Sequence, residues 1–136
     1  MVTGRGFEEI EHTADWSLRL WGDTMADLLA AAARGMLALT GVEAIPGGRA
    51  SRQLEIQAAD REELLVSWLE RLLFELETQS VIPVELTLEA GDTWLRAALV
   101  ESKAGAPQKP IKAITFHDLE VKQGKDGLEA RIVFDV

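Results

Sequence analysis

The chain has 136 residues and no cysteine, and its 23 Asp and Glu outnumber its 14 Lys and Arg to leave a net charge of −9. That length suits one domain, 1–136, with room for a buried core, and the missing cysteines exclude disulfides, thiolate metal sites and a Cys nucleophile. The acidity argues against direct binding to nucleic-acid phosphates, and no apolar run approaches the roughly 20 residues of a membrane helix.

The start, MVTGRGFEEI, lacks the apolar segment of a signal peptide, so a cytoplasmic location is expected. Phe7 to Ile10 reads as a short extended start. Trp16 to Trp21 alternates Leu18 and Leu20 with Ser17 and Arg19, the period of a half-buried strand. Gly22-Asp23 is a turn. Thr24 caps a helix expected over Met25 to Leu39, whose stripe is Leu28, Leu29, Ala32, Met36 and Leu39. Gly41 stops it.

Ala44 to Ala50, with Pro46, Gly47 and Gly48, is expected as a loop. Leu54 and Ile56 alternate with polar residues and predict a strand. Asp60 with Glu63 resembles a capping box and opens the longest helix, about Arg61 to Gln79, with Leu65, Trp68, Leu69, Leu72, Leu73 and Leu76 facing inward. Val84 to Glu89 and Thr93 to Val100 predict a hairpin around Ala90-Gly91-Asp92. Glu101 to Pro110 is expected as an exposed loop. Lys112 to Phe116 and Leu119 to Lys122 are expected extended, and Gly124 to Gly127 turns into a last strand, Leu128 to Phe134. This order predicts an α+β fold with two helices packed on one face of a largely antiparallel sheet.

No phosphate loop, dinucleotide glycine pattern, HExxH or GxSxG occurs. The only histidines are His12 and His117, and there is no tyrosine. Residues 51–100 carry 10 acidic and 4 basic side chains, against 6 of each in 101–136. A solvated acidic helix face accounts for this, as would a surface that docks on a basic protein.

Two local signals stand out. Glu11-His12-Thr13-Ala14-Asp15 precedes the first clear strand; its plain reading is a turn whose Asp and Thr side chains bond their own backbone. At the other end, Asp135 and the terminal carboxylate of Val136 are adjacent, and such a pair repels unless a cation or donor lies between. A frayed terminus is the plain reading, weakened by a last strand that keeps its period to Phe134. Were Asp15 to meet Asp135 and Val136, three carboxylates would form the hard-oxygen set preferred by Ca²⁺, Mg²⁺ or Mn²⁺. Sequence pattern does not show that proximity.

Four segments together resemble the archease family. They are the Glu11–Asp15 run followed by Trp21-Gly22 and Ala33-Arg34-Gly35; Leu64 to Leu69 with Leu72-Leu73-Phe74; Lys112 to Val121; and Val133-Phe134-Asp135-Val136. The likeness spans about Phe7 to Val136. It implies an accessory protein and not an independent catalyst. Archeases activate the RtcB-type RNA ligase of tRNA splicing and RNA repair, which uses Mn²⁺ and GTP and is guanylylated on its own histidine. They promote that guanylylation and the ligase's repeated turnover.

The resemblance also implies an α+β fold related to the strand-helix-strand-strand (SHS2) module. It implies a metal site of Asp15, Asp135 and Val136, with Ca²⁺ the ion expected for the isolated protein and Mg²⁺ or Mn²⁺ as alternatives. Lys112 is either a solvated lysine or a contact to those carboxylates or the partner. His117 reads as a hydrogen-bonded structural histidine before a ligand, and His12 as the residue that orients the turn carrying Asp15. Phe116 stands where the family often has Tyr, which removes a hydroxyl. RNA contact is then indirect, through the ligase. Two other readings stay open: a small metal-dependent hydrolase on the same carboxylates, which lacks an evident base or oxyanion donor, and a metal-free, chaperone-like interaction module.

Overall fold

Hydrophobic period and capping residues place two helices and eight strands in the computed structural model, which describes residues 4–11 and 15–136. In chain order these are β1 (Arg5–Glu11), β2 (Asp15–Gly22), α1 (Met25–Thr40), β3 (Ala44–Gln57), α2 (Arg61–Gln79), β4 (Val81–Ala90), β5 (Trp94–Ala104), β6 (Ala113–Thr115), β7 (Lys122–Gly124) and β8 (Gly127–Asp135). Both helices begin where the sequence places their caps. The Thr24 hydroxyl accepts the Asp27 N–H at 3.2 Å and the Asp60 carboxylate accepts the Glu63 N–H at 2.8 Å. Gly41 closes α1 with φ 69°, a left-handed conformation that suits glycine. The chain leaves α2 at Ser80, also left-handed with φ 53°, before Pro83 is reached.

The strands divide into two antiparallel sheets. The first has five strands in the order β1-β2-β8-β6, with β7 also paired to β8; the second has the order β3-β5-β4. Helix α1 packs chiefly on β1 and β2, α2 touches strands of both sheets, and the helices touch each other. One continuous core joins all of them: Leu18, Leu20, Ile132 and Phe134 from the first sheet, Leu95 and Leu99 from the second, with Leu28, Met36, Leu65 and Trp68 from the helices. The buried Trp68 indole N–H donates to the Leu29 carbonyl at 2.9 Å and ties α2 to α1. Gly35 faces Leu18 and Phe7, where an added Cβ would lie 3.0 Å from either side chain. A side chain there would push α1 off the sheet. Among the described residues no helix is long and apolar enough to cross a membrane.

The core fixes the β2–β8 register. Leu18 pairs with Ile132, Leu20 with Ala130 and Trp16 with Phe134. A slip of β8 by one residue would turn Ile132 and Phe134 outward, and a slip of β2 would do the same to Leu18 and Leu20. At about 1.5–3 kcal/mol for each side chain, either loss is a large part of the roughly 5–15 kcal/mol that holds a domain folded.

Two expected loops are strands. β3 begins at Ala44, inside the segment 44–50 expected as a loop. β3 lies at the edge of its sheet, where Pro46 needs no ladder partner, and the register shift between Ala44 and Arg49 absorbs Gly47 and Gly48. β5 runs on to Ala104, so Glu101 to Ala104 are paired and not an exposed loop. Glu101 and Ser102 are buried. Their polar side chains broke the expected alternation because their partners lie far away in sequence. In the other direction, Leu119 to Val121 lie outside any strand and pairing begins at Lys122.

Candidate metal centre

Asp15 opens β2 and Asp135 closes β8, and the locked register makes them direct cross-strand partners. Partners of an antiparallel pair share one face, with Cβ atoms about 4.5–5.5 Å apart. Leu18, Leu20, Ile132 and Phe134 take the inner face, so Asp15 and Asp135 stand on the outer one with Ser17, Arg19, Arg131 and Val133. Two carboxylates directly opposite repel and destabilise the pairing unless a cation compensates them. Among the described residues neither has a Lys, Arg or His nitrogen within 4.0 Å.

The rest of that sheet end is braced. Ala113 of β6 pairs with Asp135 from the other side, and the Lys112 N–H donates to the Asp135 carbonyl at 2.7 Å. β8 is therefore held between two strands up to Asp135, and Val136 packs half-buried against the core. The loop before Lys112 closes the flank. Gln108 and Lys109 donate their N–H groups to the Thr40 carbonyl at 2.8 and 3.0 Å, and the Lys109 ammonium lies 3.1 Å from the centre of the Trp16 ring.

The structure thus brings together Asp15, Asp135, Val136 and the backbone of Lys112. The Lys112 side chain is exposed. His117 is exposed as well: its ring nitrogen lies 3.2 Å from Asp118, and its backbone N–H donates to the Thr115 hydroxyl at 3.3 Å. Phe116 beside it is 56% exposed. His12 lies outside the described residues. Among those described, no three Asp, Glu or His side chains gather as a metal cage. Asp15 and Asp135 are an uncompensated oxygen pair, the donor type a hard cation takes, with no third acidic side chain beside them among the described residues.

A second group of charges was hidden from sequence reasoning. Glu75 of α2 and Glu101 of β5 are buried, with Arg52 of β3 and Arg71 of α2 against them. Arg52 and Arg71 both donate to Glu75 Oε2, the latter at 3.1 Å, while Arg52 Nε lies 3.4 Å from Glu101 Oε1. Glu75 Oε1 and Glu101 Oε2 have no hydrogen-bond partner. Loss of hydration raises the Glu75 carboxyl, but hydrogen bonds with Glu101, Arg71 and Arg52 outweigh it and hold the group below the usual carboxylate range. Burial, and then the proximity of Glu75, push Glu101 up to about 7. Arg52, against both carboxyls, and Arg71, on Glu75, brace α2 against the second sheet. Only the Arg71–Glu75 spacing of four was legible beforehand.

The chain matches the model of the archease protein family (MTH1598/TM1083) over residues 7–136. It is 31% identical over 141 residues to protein archease of Methanopyrus kandleri, covering 96% of this chain and 99% of that one. It is 28% identical over 142 residues to protein archease of Methanosarcina acetivorans, covering 98% and 97%. Protein 1598 of Methanobacterium thermoautotrophicum, solved in solution, superposes with a TM-score of 0.71 at 27% identity, covering 96% of this chain and 99% of the other. The crystal structure of a Thermotoga maritima protein described as an archease, possible chaperone, shares the fold with a TM-score of 0.72 at 21% identity, covering 95% and 96%. With a family match that runs from Phe7 to Val136, this α+β chain belongs to the archease family.

Proposed function

We propose that this chain is a metal-binding accessory protein that activates an RtcB-type RNA ligase, promoting the ligase's guanylylation and its repeated turnover. The observation that carries the reading is the uncompensated Asp15–Asp135 pair, held opposite one another by a register the core does not let slip. Asp15 and Asp135, with the free carboxylate of Val136 where the chain closes there, are the oxygens that would hold Ca²⁺, Mg²⁺ or Mn²⁺. A bound divalent ion supplies charge for organising phosphate oxygens at the ligase centre.

This chain's own part is positional. β8, fixed between β2 and β6, presents Asp135 on a rigid strand and not on a loop. The net charge of −9 suits a protein that docks on a ligase and leaves RNA to it.

The test is RNA ligation and ligase guanylylation by the cognate ligase, in single and multiple turnover, with and without equimolar protein. The reading expects both to rise, and to stay at the ligase-alone level with Asp15→Ala or Asp135→Ala. Activation retained by both variants refutes the carboxylate site. Unchanged rates with the wild-type protein refute the activator role. RNA cleavage or ligation by this chain alone refutes the accessory reading in favour of an enzyme.

A further inference from the structure

Helix α2 turns its leucines inward and leaves the opposite side without a neighbour. Glu63, Ser67, Glu70, Phe74 and Glu77 recur every three or four residues, so they line one face opposite the buried stripe. Ser67 is half-buried and the other four are exposed. Phe74 stands between Glu70 and Glu77 and is 58% exposed, more than any other large apolar side chain among the described residues. Among those residues, Glu63, Glu70 and Glu77 have no Lys, Arg or His nitrogen within 4.0 Å. The two cations of α2 are engaged elsewhere, Arg61 with Asp92 at 2.9 Å and Arg71 with Glu75 at 3.1 Å. The face is therefore three free carboxylates around one bare ring.

That ring separates the face from an ordinary solvated one, which gains nothing by holding a phenyl group in water. The helix beneath it is firmly held. Trp68 ties it to α1, the Glu62 carboxylate accepts the Val121 N–H at 2.7 Å, and the Thr78 hydroxyl donates to the Phe74 carbonyl at 2.7 Å. A fixed platform loses little freedom when something docks on it. Charge and spacing decide what that is. Seven residues put successive carboxylates about 10.5 Å apart along the axis, too far to share one cation. Their sign repels nucleic-acid phosphates and anionic lipid headgroups. A two-fold contact with a second copy would set the same carboxylates against themselves. A basic protein surface with an apolar pocket for the ring complements both features. A protein that holds RNA carries such a basic surface, because it has to neutralise phosphates.

We propose that this face of α2 docks on the RNA ligase, with Phe74 seated in an apolar pocket and Glu63, Glu70 and Glu77 paired with Lys or Arg side chains around it. The inference rests on the activator reading above and adds to it the surface that meets the ligase. None of these residues belongs to the Asp15–Asp135 pair, so docking and activation separate by mutation.

The experiment measures binding of the full chain to the purified cognate ligase by calorimetry at low and high salt, beside the ligation assay. Circular dichroism checks that each variant is folded. Phe74→Ala is expected to weaken binding at least about tenfold, the loss of a central aromatic anchor, and to reach the wild-type ligation rate once its concentration saturates the ligase. Phe74→Leu, which keeps apolar bulk, is expected to fall between wild type and Phe74→Ala. Glu63→Gln, Glu70→Gln and Glu77→Gln together are expected to weaken binding at low salt and to flatten its salt dependence. Asp135→Ala is expected to bind the ligase without activating it, and to lose affinity by the same factor when Phe74→Ala is added. Activation by wild type with equal affinity in Phe74→Ala and in the triple Gln variant overturns the docking face and leaves the activator reading standing. A wild-type chain that neither binds nor activates the ligase overturns this occupant together with the activator reading. A dimer in sedimentation that Phe74→Ala dissolves assigns the face to a second copy and overturns the ligase as its occupant.

Discussion

Glu101→Gln tests the buried charge cluster. In the folded protein Glu101 holds its proton up to about 7, against an ordinary value of 4.5. The folded state therefore binds more protons than the unfolded chain between those two values. Stability from this group is fully present below about pH 4.5, falls as pH rises, and is gone above about pH 7. The 2.5 units between them correspond to about 3 kcal/mol at 1.36 kcal/mol each. Glu75 has the opposite sign: held below the ordinary range, it contributes stability that is lost only as pH falls through its folded value.

Glutamine at 101 supplies a permanent N–H donor toward Glu75 and cannot ionise. Near pH 5 it should match wild type. Near pH 8 it should be more stable by about 3 kcal/mol, or roughly 10 °C in Tm for a chain of this size. Thermal unfolding followed by circular dichroism from pH 4.5 to 8 reads the difference between the two proteins, which removes the background titration of every other carboxylate. Parallel Tm profiles across that window would refute the raised Glu101 carboxyl.

Glu75→Gln should behave otherwise, losing about 1–3 kcal/mol in urea unfolding at pH 7, because it takes the carboxylate from Arg71 and leaves Arg52 with Glu101 alone. Trp68→Phe removes the donor to the Leu29 carbonyl and leaves a gap between the helices; chemical denaturation should show a loss of about 1–3 kcal/mol. Gly35→Val forces Cβ against Leu18 and Phe7 and should cost about 1–3 kcal/mol in the same assay, with a lower Tm. Asp135→Asn should raise the Tm of the protein in chelator and abolish the rise produced by Ca²⁺ or Mn²⁺ in wild type, measured by thermal shift.

Sequence legibility followed the range of the interactions. α2 ran from Arg61 to Gln79 as expected because cap, stripe and stop are all local. β2 and β8 were legible from period-two alternation of Leu18 with Leu20 and of Leu128 with Phe134. What alternation does not reveal is which strand lies beside which. Asp15 and Asp135 are 120 positions apart, and only the burial of Leu18, Ile132 and Phe134 in one core joins them. Glu101 failed for the same reason. A charged residue next to Ser102 and Lys103 reads as surface until Arg52 and Glu75 are known to face it. The family resemblance supplied the proximity of Asp15 and Asp135 as an implication, and the register supplies a physical cause for it.

That cause also says why the repulsion persists. A sheet face free to choose its register would relieve the Asp–Asp pair by sliding two residues, which keeps every side chain on its face and brings Asp135 toward Ser17. Here the slide is blocked from both ends. Gly127 packs against Gly22, where an added Cβ would sit 2.6 Å from the Gly22 carbonyl, and the two-residue turn between Gly124 and Gly127 anchors β8 at its start. At its finish, Lys112 and Ala113 hold Asp135 in place. The inner face therefore dictates the outer one, and the core gains far more from Leu18, Leu20, Ile132 and Phe134 than the surface loses to the Asp15–Asp135 pair. The inner face holds Asp15 opposite Asp135, so a counter-charge placed between them would require no rearrangement of the strands.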